Sequence, residues 1–567
     1  MRGSNETTRT TTTTTPLAER AAAASTAVGP GATRSPLAGT PALLRLMLRR
    51  DRMRLSLWVL GIGLMGFYFA GAIQVVAEDR AQLAQMTTMF ADPVGRLMTG
   101  PAYGMDAPTF ERFYATGYIL FLFILAALMS IFTVVRHTRA EEQTGRAELI
   151  RANVVGRHAT LTAALLLVLL ADVLVGLLVS AGALAAGYAT AGSLLVGAAA
   201  VAVGMFFAGA AAVTAQLSES SRGASAMAGA LLGLAYLIRM GGDMAEQGGG
   251  TLSWFSPLGW SQQTAPYVHD HWWPLLPLVG CAVGFVWLGY WLSTRRDVEA
   301  SLMPSRLGRA RARPSLGTPM GMAYRILRGG LRGWTIALVL TALLFGSYAE
   351  SMIDAADALP EEFAAIFSGD SMMLGYLAYI ALFLAIFVAA AGVSGLTQLH
   401  GEEARGRAEL SLSTPMSRTR WLAAHLAVLL LGLGLMLLLT GLGTALGALA
   451  VLGEDGVQHA DDLVLASLHQ AAPVLAVLGI VVALFGWLPR LAGVVGWLLL
   501  GYAAVMTNFG SLLELPAVME DLNVFGHLAQ VPVEGVDWAP FLVLSGIGVV
   551  GILLGMIGWN RREVAAG

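Results

Sequence analysis

The chain contains no lysine, and all 35 of its basic residues are arginine. A Walker A loop needs a lysine that reaches the phosphates of ATP, so a P-loop ATPase is excluded from this chain. A lysine Schiff base is excluded for the same reason. The single cysteine, Cys281, lies within an apolar stretch, and a lone cysteine excludes an intrachain disulfide.

Catalytic and metal-binding patterns are scarce too. The nine histidines form no Ser-His-Asp, Cys-His or H-E-x-x-H arrangement, so we expect no catalytic residues and no enzyme activity in the chain itself. His269 and His271 are two positions apart without a convincing third ligand, which disfavours a metal site. Because Trp272 and Trp273 follow directly, we expect an aromatic anchor at the outer membrane interface instead.

Charged residues make up only 13% of the 567 residues, whereas 56% are hydrophobic and the mean hydropathy is +0.66. Apolar runs near 20 residues recur, and each can cross a hydrocarbon core about 30 Å thick. The sequence therefore predicts an all-α polytopic membrane protein with about twelve transmembrane helices in two sets of six. The predicted spans are residues 55–76, 113–135, 158–187, 192–217, 224–240 and 274–294, then 333–350, 373–397, 421–452, 466–488, 491–509 and 540–559.

The arginines are distributed unequally along this map. On it, 31 lie in the N-terminal tail, in the loops after even-numbered spans or at the C-terminus. Four lie toward the opposite side: Arg80, Arg96, Arg112 and Arg239. The positive-inside rule then places both termini in the cytoplasm, with Arg239 extending from the end of span five to the outer surface. Arginine without lysine, with abundant alanine and glycine, indicates a high-GC bacterial genome and hence a bacterial plasma membrane.

The N-terminal region is rich in threonine and alanine and lacks an apolar core, so it is not a secretory signal. A disordered cytoplasmic tail is favoured over an organelle transit peptide. The predicted organisation is a tail at residues 1–40, a first six-helix half at 41–294, a cytoplasmic linker at 295–331, a second half at 332–560, and a tail at 561–567.

A charged segment is repeated in the two halves. EEQTGRAEL at residues 141–149 returns as EEARGRAEL at residues 402–410, 261 positions later and with seven of nine residues identical. Six crossings per half give both copies the same orientation, which predicts parallel repeats about an axis near the membrane normal, with a transport cavity between them. Basic segments at 45–58 and 325–334 precede the first and seventh spans. They are interpreted as interfacial helices, with an ordinary positive flank as the alternative.

Shorter echoes occur before spans six and twelve, at residues 257–260 and 525–527. Short re-entrant helices and plain turns are equally compatible with them.

Spacing within the repeated segment predicts a protruding mixed-charge helix. Glu141 and Glu148 are seven apart, hence on one face of a helix, and Glu142 and Arg146 are at i,i+4. Gly145 permits a bend or a close backbone approach. A docking surface for a soluble partner is favoured over a solvated loop that only sets topology, because topology needs positive charge alone.

The number of spans, the basic segment before the first, and E-E-x-x-G-R-x-E-L after the second resemble type-2 ATP-binding-cassette (ABC) exporter permeases. More narrowly, the chain resembles actinobacterial polyketide (tetronasin-type) antibiotic or multidrug exporter membrane subunits. The resemblance implies that the repeated segment is a coupling helix held in a groove of the ATPase subunit. By position, the implied coupling residues are Glu141, Glu142, Gly145, Arg146 and Glu148, and Glu402, Glu403, Gly406, Arg407 and Glu409. Beyond Leu149 the first copy lacks the Thr-Pro-Met-Ser of the second, so the two contacts need not be equal.

The resemblance also implies a function: export of hydrophobic or amphipathic compounds, such as antibiotics or drugs, from the lipid bilayer. Two copies of a separate cytoplasmic ABC ATPase would bind ATP and magnesium, with no cofactor in this chain and no nucleic-acid partner. Lipid or cell-envelope cargo, a proton- or ion-coupled secondary efflux transporter, and a membrane enzyme are the alternatives. Asp172 lies mid-span, where an ionisable group is costly. Substrate contact, proton relay and a hydrogen bond to a neighbouring Ser or Thr all remain open for it.

Overall fold

The structure is a computed structural model. It describes residues 35–76, 99–151, 155–295, 311–349, 372–453, 460–509 and 521–562, with the isolated positions 83, 91, 95, 96 and 302. All regular secondary structure in these residues is helical. Twelve helical segments are long and apolar enough to cross a membrane, which confirms the predicted class and number of spans.

The described residues of the first half form ten α-helices. They are α1 (Thr40–Val76), α2 (Phe110–Gly117), α3 (Ile119–His137), α4 (Arg139–Gln143), α5 (Arg146–Arg151), α6 (Ala159–Ala185), α7 (Thr190–Leu217), α8 (Ser221–Ala245), α9 (Pro257–Gln262) and α10 (Leu275–Ser293). The candidate spans are α1, α3 with its continuation α4, α6, α7, α8 and α10.

In the second half, eight α-helices lie within the described ranges. They are α11 (Pro319–Ser347), α12 (Met372–Ala404), α13 (Arg407–Leu412), α14 (Arg418–Leu452), α15 (Ala460–His469), α16 (Ala471–Trp487), α17 (Pro489–Phe509) and α18 (Trp538–Arg561). Here α15 and α16 together form one span.

The same helix pairs pack in both halves. The α1–α6 contact corresponds to α11–α14, α7–α10 to α16–α18, α3–α7 to α12–α16, and α7–α8 to α16–α17. Glycines allow the closest of these contacts: a β-carbon on Gly479 of α16 would clash with the backbone of Gly548 in α18. Small residues at helix contacts let backbones approach closely inside a membrane.

Each half has its own apolar core. Buried residues from Val59 to Ala282 form one cluster, and buried residues from Ala323 to Trp559 form another. The second and fourth spans of each half are central, since 67% and 78% of their apolar windows are buried in the first half and 72% and 67% in the second. The two bundles are therefore built on the same plan, with α3 and α7 central in one and α12 and α16 central in the other.

The basic segment before span one is not a separate interfacial helix, so this prediction was wrong. It is the first part of α1, a continuous helix of 37 residues. At 1.5 Å per residue such a helix is about 55 Å long, well beyond a hydrocarbon core of about 30 Å. Leu43 and Met47 are buried against Ala163 and Leu167 of α6, so packing keeps this extension helical.

The second half also begins earlier than predicted. Thr318 caps α11 by accepting a hydrogen bond from the backbone N–H of Gly321, and Pro319 occupies the first helical turn. Residues 319–331, assigned to the linker from sequence, therefore belong to the same continuous helix as the predicted seventh span.

The echoes before spans six and twelve are short helices rather than plain turns. Thr251–Phe255 is a 3₁₀ helix followed by α9, and Val524–His527 is a 3₁₀ helix. Ser256 starts α9 by accepting from the backbone N–H groups of Leu258 and Gly259. Both echoes are anchored in the protein, because Leu258 and Phe525 are fully buried.

Candidate functional site

Each copy of the repeated segment is divided by its glycine. Gly145 and Gly406 both have φ of +70°, a left-handed conformation that glycine adopts readily. In the first copy α4 ends before the glycine and α5 begins after it, and in the second α12 and α13 are divided in the same way. The prediction of one continuous amphipathic helix was therefore wrong. Glu141 and Glu148 do not share a face of one helix.

In the first copy, the glutamates before the glycine are anchors. The Glu141 carboxylate lies 2.5 Å from the guanidinium of Arg50 on α1. The Glu142 carboxylate lies 2.7 Å from Arg139, not beside Arg146 as its spacing predicted. Arg139 is almost fully buried and also donates to the backbone carbonyl of Ala215 on α7. These contacts fix the end of α4 to two spans of its own half.

The second copy is anchored differently. Glu403 is 2% exposed and accepts two hydrogen bonds from Arg562, at 2.5 and 2.8 Å, just beyond the end of α18. Glu402 pairs across the break with Arg407 at 2.8 Å. The repeat alignment places Gly330 at the position of Arg50 and His400 at that of Arg139. His400 Nδ1 lies 3.7 Å from Glu403, so this position is near the glutamate in both copies, whereas the guanidinium partners Arg50 and Arg562 are not equivalent.

The arginine, the glutamate and the leucine that follow the glycine are exposed in both copies. We call these two groups the tips: Arg146, Glu148 and Leu149 in the first, and Arg407, Glu409 and Leu410 in the second. The leucine side chains are 72% and 73% exposed, respectively. The residues implied for coupling thus separate into inner anchors and protruding tips, and only the tips present a surface to a partner.

Both tips lie at the same end of the molecule. Gln143, beside the first tip, donates to the backbone carbonyl of Glu219 and accepts from the backbone N–H of Ser221. The neighbouring Arg222 lines a cavity together with Glu402 and Arg405, beside the second tip. The two protrusions are therefore available to partners on one face.

A buried ionic cluster adjoins the first anchor. Asp51 on α1 is 4% exposed and accepts from the Arg136 guanidinium at 2.8 Å, while His137 Nε2 lies 2.9 Å from the same carboxylate. The sequence signal for this cluster is the single aspartate inside the basic run RRDRMR. With the Arg50–Glu141 pair, this cluster ties α1 to the end of α3 and to α4.

Asp172 is fully buried within its span. The Ser130 hydroxyl on α3 donates to both carboxylate oxygens, at 3.0 and 3.1 Å. Across the contact with α7 it packs on Gly204, where an added β-carbon would clash with the carboxylate. The hydrogen bond to a neighbouring serine, one of the roles left open by the sequence, is therefore present.

Arg239 does not extend to the outer surface, so that prediction was wrong. Its side chain is fully buried and lies 3.2 Å from Asp243, one helical turn later. Asp243 also accepts from Ser253 Oγ at 2.5 Å, and Arg96 donates to its backbone carbonyl. The Asp243 carboxylate, four residues after Arg239, pairs with the guanidinium inside the protein. This i,i+4 spacing is visible in the sequence. Arg80 lies outside the described residues.

Near the Arg239–Asp243 pair, Tyr103 and Gln263 form a second side-chain contact in the first half. The Tyr103 hydroxyl donates to the side-chain oxygen of Gln263, whose amide donates to the backbone carbonyl of Gly248 at 2.9 Å. Burial, with a smaller contribution from the Asp243 charge, raises the pKa of Tyr103 to about 12. The hydroxyl therefore keeps its proton at neutral pH.

The His269–His271 segment is held by its own backbone. Asp270 accepts from the backbone N–H of Tyr267 at 2.8 Å, and the two histidine rings stack with centroids 5.4 Å apart. Within the described part of the chain, no three His, Cys, Asp or Glu side chains are grouped so that they could hold a metal ion. Trp272 and Trp273 are about half exposed, as an interfacial anchor requires.

Comparison with known proteins identifies relatives along nearly the whole chain. The family described as "Multidrug efflux system permease Rv1217c, C-terminal domain" matches residues 41–292 and 316–560. These two ranges cover the two helical halves. The "Multidrug efflux system permease protein Rv1217c" of Mycobacterium tuberculosis is 38% identical over 535 residues, which cover 94% of this chain and 96% of the relative.

Proposed function

The chain belongs to the Rv1217c family of multidrug efflux permeases, and on that premise we propose that it is the membrane-spanning subunit of an ABC exporter. It moves hydrophobic or amphipathic compounds, such as antibiotics and drugs, out of the cell. Two copies of a separate cytoplasmic ATPase bind and hydrolyse ATP with magnesium. The permease lies in the bacterial plasma membrane with both termini and both tips in the cytoplasm.

The matched pair of tips carries this proposal. Each presents an arginine, a glutamate and an exposed leucine directly after a left-handed glycine, and both lie on one face of the molecule. A central apolar side chain with charged neighbours is a common composition for a protein contact. Because one chain supplies both tips, one permease binds two ATPase subunits.

The anchors provide the mechanical link. The Arg50–Glu141 pair joins the first tip region to α1, and the Arg562–Glu403 pair joins the second to the end of α18. When ATP binding brings the two ATPase subunits together, the movement passes through the tips to these spans. The cavity between the halves then opens alternately to the two sides of the membrane.

The test is reversal of the tip charges. In the variant with Glu148→Arg and Glu409→Arg, we expect normal membrane insertion, because both side chains are exposed. Co-purification with the ATPase and drug-stimulated ATP hydrolysis should both fall at least tenfold, since like charges placed across an interface cost several kcal/mol.

The matched control is Glu246→Arg, an exposed acid beyond α8 at the opposite end of the molecule. It should leave ATPase binding unchanged. Full ATPase binding by the double variant would contradict the proposal. Export driven by a proton gradient in vesicles without the ATPase would instead establish a secondary transporter.

A further inference from the structure

A cavity of about 630 Å³ lies between the two halves, at the end of the molecule that carries the tips. The first half contributes Arg222, from the start of α8. The second half contributes residues of α11, α12 and α17, including Arg325 and Arg328 of α11, and Arg405, which directly follows α12. The volume lies within the range of about 300–1,000 Å³ that is usual for sites of small molecules.

The charge of the lining is strongly positive. Four guanidinium groups face one carboxylate, Glu402, and that carboxylate is already paired with Arg407 at 2.8 Å. Among the described residues, none of the four arginines forms an ion pair with a carboxylate. An excess of positive over negative charge in one cavity favours an anionic ligand.

The remaining lining combines apolar and neutral polar groups. Ile326 and Trp497 supply apolar surface, and Trp497 is 48% exposed. Gln398 is held by its hydrogen bond to the backbone carbonyl of Ile326 at 2.8 Å. An anionic group bound by the arginines would therefore lie beside apolar walls suited to a hydrophobic body.

This charge is not a product of the repeat. Arg325 corresponds to Arg45 of the first half, but Leu48 and Thr144 stand at the positions of Arg328 and Arg405. Arginines that served only to orient the protein in the membrane would not need to line the same cavity. The arginines are assembled on one side of the molecule and meet Arg222 across the boundary between the halves.

We propose that this cavity binds amphipathic anions: compounds with a carboxylate or phosphate group on an apolar body, held by Arg222, Arg325, Arg328 and Arg405. Arginine suits this role because its planar donor pair matches carboxylate and phosphate oxygens. The inference rests on the proposed function in one respect, that the cavity is the inner entrance of the transport path. A transported acid and an anionic lipid head group share this chemistry.

Binding is measured on the permease alone, in phosphatidylcholine nanodiscs and without an ATPase, so failure of ATP coupling cannot affect the result. The probe is dansylated undecanoic acid, compared with its uncharged methyl ester. We expect the acid to bind at least about tenfold more tightly than the ester, since the ester lacks the charge that strengthens hydrogen bonds from arginine.

The variant with Arg325→Gln and Arg328→Gln should lose this preference, and the variant with both arginines replaced by lysine should retain most of it. The matched control is Arg45→Gln, at the corresponding position of the first half, which should bind like the parent protein. Thermal unfolding of each variant shows that it remains folded.

Equal binding of acid and ester, or unchanged acid binding by the folded glutamine variant, would overturn the proposal. Nanodiscs containing phosphatidylglycerol distinguish the two sources of the anion. Competition that depends on Arg325 and Arg328 assigns the cavity to a lipid head group, and probe binding unaffected by that lipid assigns it to an amphipathic solute.

Discussion

At the scale of single residues, Gly145 and Gly406 set the direction of the two tips. Both adopt φ of +70°, and a β-carbon at either position would meet no heavy atom within 4 Å. Alanine there is penalised only through the backbone, by roughly 1–2 kcal/mol per site. A variant with alanine at both positions should therefore fold and insert, yet stimulate the ATPase several-fold less because the tips change direction.

Asparagine at both positions should restore coupling, because it tolerates the left-handed conformation. The control is Gly434→Ala, which has equally open surroundings but no positive φ. ATPase stimulation by each purified complex is the measurement. Full stimulation by the double alanine variant would show that the turn does not position the tips.

Asp172 provides the second prediction at this scale. In Asp172→Asn the amide oxygen still accepts the Ser130 hydroxyl bond, so we expect stability within about 1 kcal/mol of the parent and normal export. In Asp172→Leu a branched side chain meets Gly204 and Ser130 loses its partner, so a loss of roughly 1–3 kcal/mol is expected. Thermal unfolding and an export assay measure the two effects. Abolished export by a stable Asp172→Asn protein would assign the carboxylate a transport role instead.

At the scale of helices, a substitution in an anchor removes a buried ion pair, whereas a substitution in a tip removes an exposed side chain. Glu403→Ala leaves Arg562 without its carboxylate, and removing one partner of a buried pair costs about 3–5 kcal/mol. The Arg562 side chain is 16% exposed, so we expect the lower end of that range. Glu409→Ala, on the tip, should change stability by less than about 0.5 kcal/mol.

Thermal unfolding of the two purified variants measures this difference. Equal stability would mean that the Glu403–Arg562 pair does not anchor the segment. The same contrast explains why charge reversal at Glu142 or Glu403 is a poor test of docking, since either change removes an ion pair inside the protein.

The helices were largely predictable from sequence, but their ends were not. Hydrophobicity identifies the apolar part of each span, because only that part must match the bilayer. The first turns of α1 carry arginines and were assigned outside the membrane, although Leu43 and Met47 pack on α6. Helix ends that depend on packing against another helix cannot be found from one stretch of sequence.

At the scale of the whole molecule, each half buries its own apolar core. We therefore predict that a chain cut within residues 303–310 still assembles when its two parts are expressed together. The parts should co-purify through a tag on one of them and recover a substantial fraction of export. As a control, a cut within residues 218–220 separates α7 from α8 inside one core, and it should abolish both assembly and export.

Assembly after the second cut but not the first would contradict independent folding of the halves. The duplicated plan itself was predictable, because the repeated segment and the count of spans require parallel copies. The partners of Glu141 and Glu403 were not, since Arg50 and Arg562 lie far from these glutamates along the chain. Arg239 was misplaced for a different reason: its i+4 partner Asp243 is local and visible in the sequence, whereas the contacts of this pair with Ser253 and Arg96 join distant parts of the chain.

The different attachment of the two anchors has a consequence for motion. Glu141 is held by the opening helix of its bundle, whereas Glu403 is held by the residue that follows the closing helix of the other. If two identical ATPase subunits moved the two tips by equal amounts, the helices displaced in the two halves would not be equivalent. Equal movements of the two ATPase subunits would therefore tilt or rotate one helical bundle against the other inside the membrane. They would not separate the two bundles symmetrically.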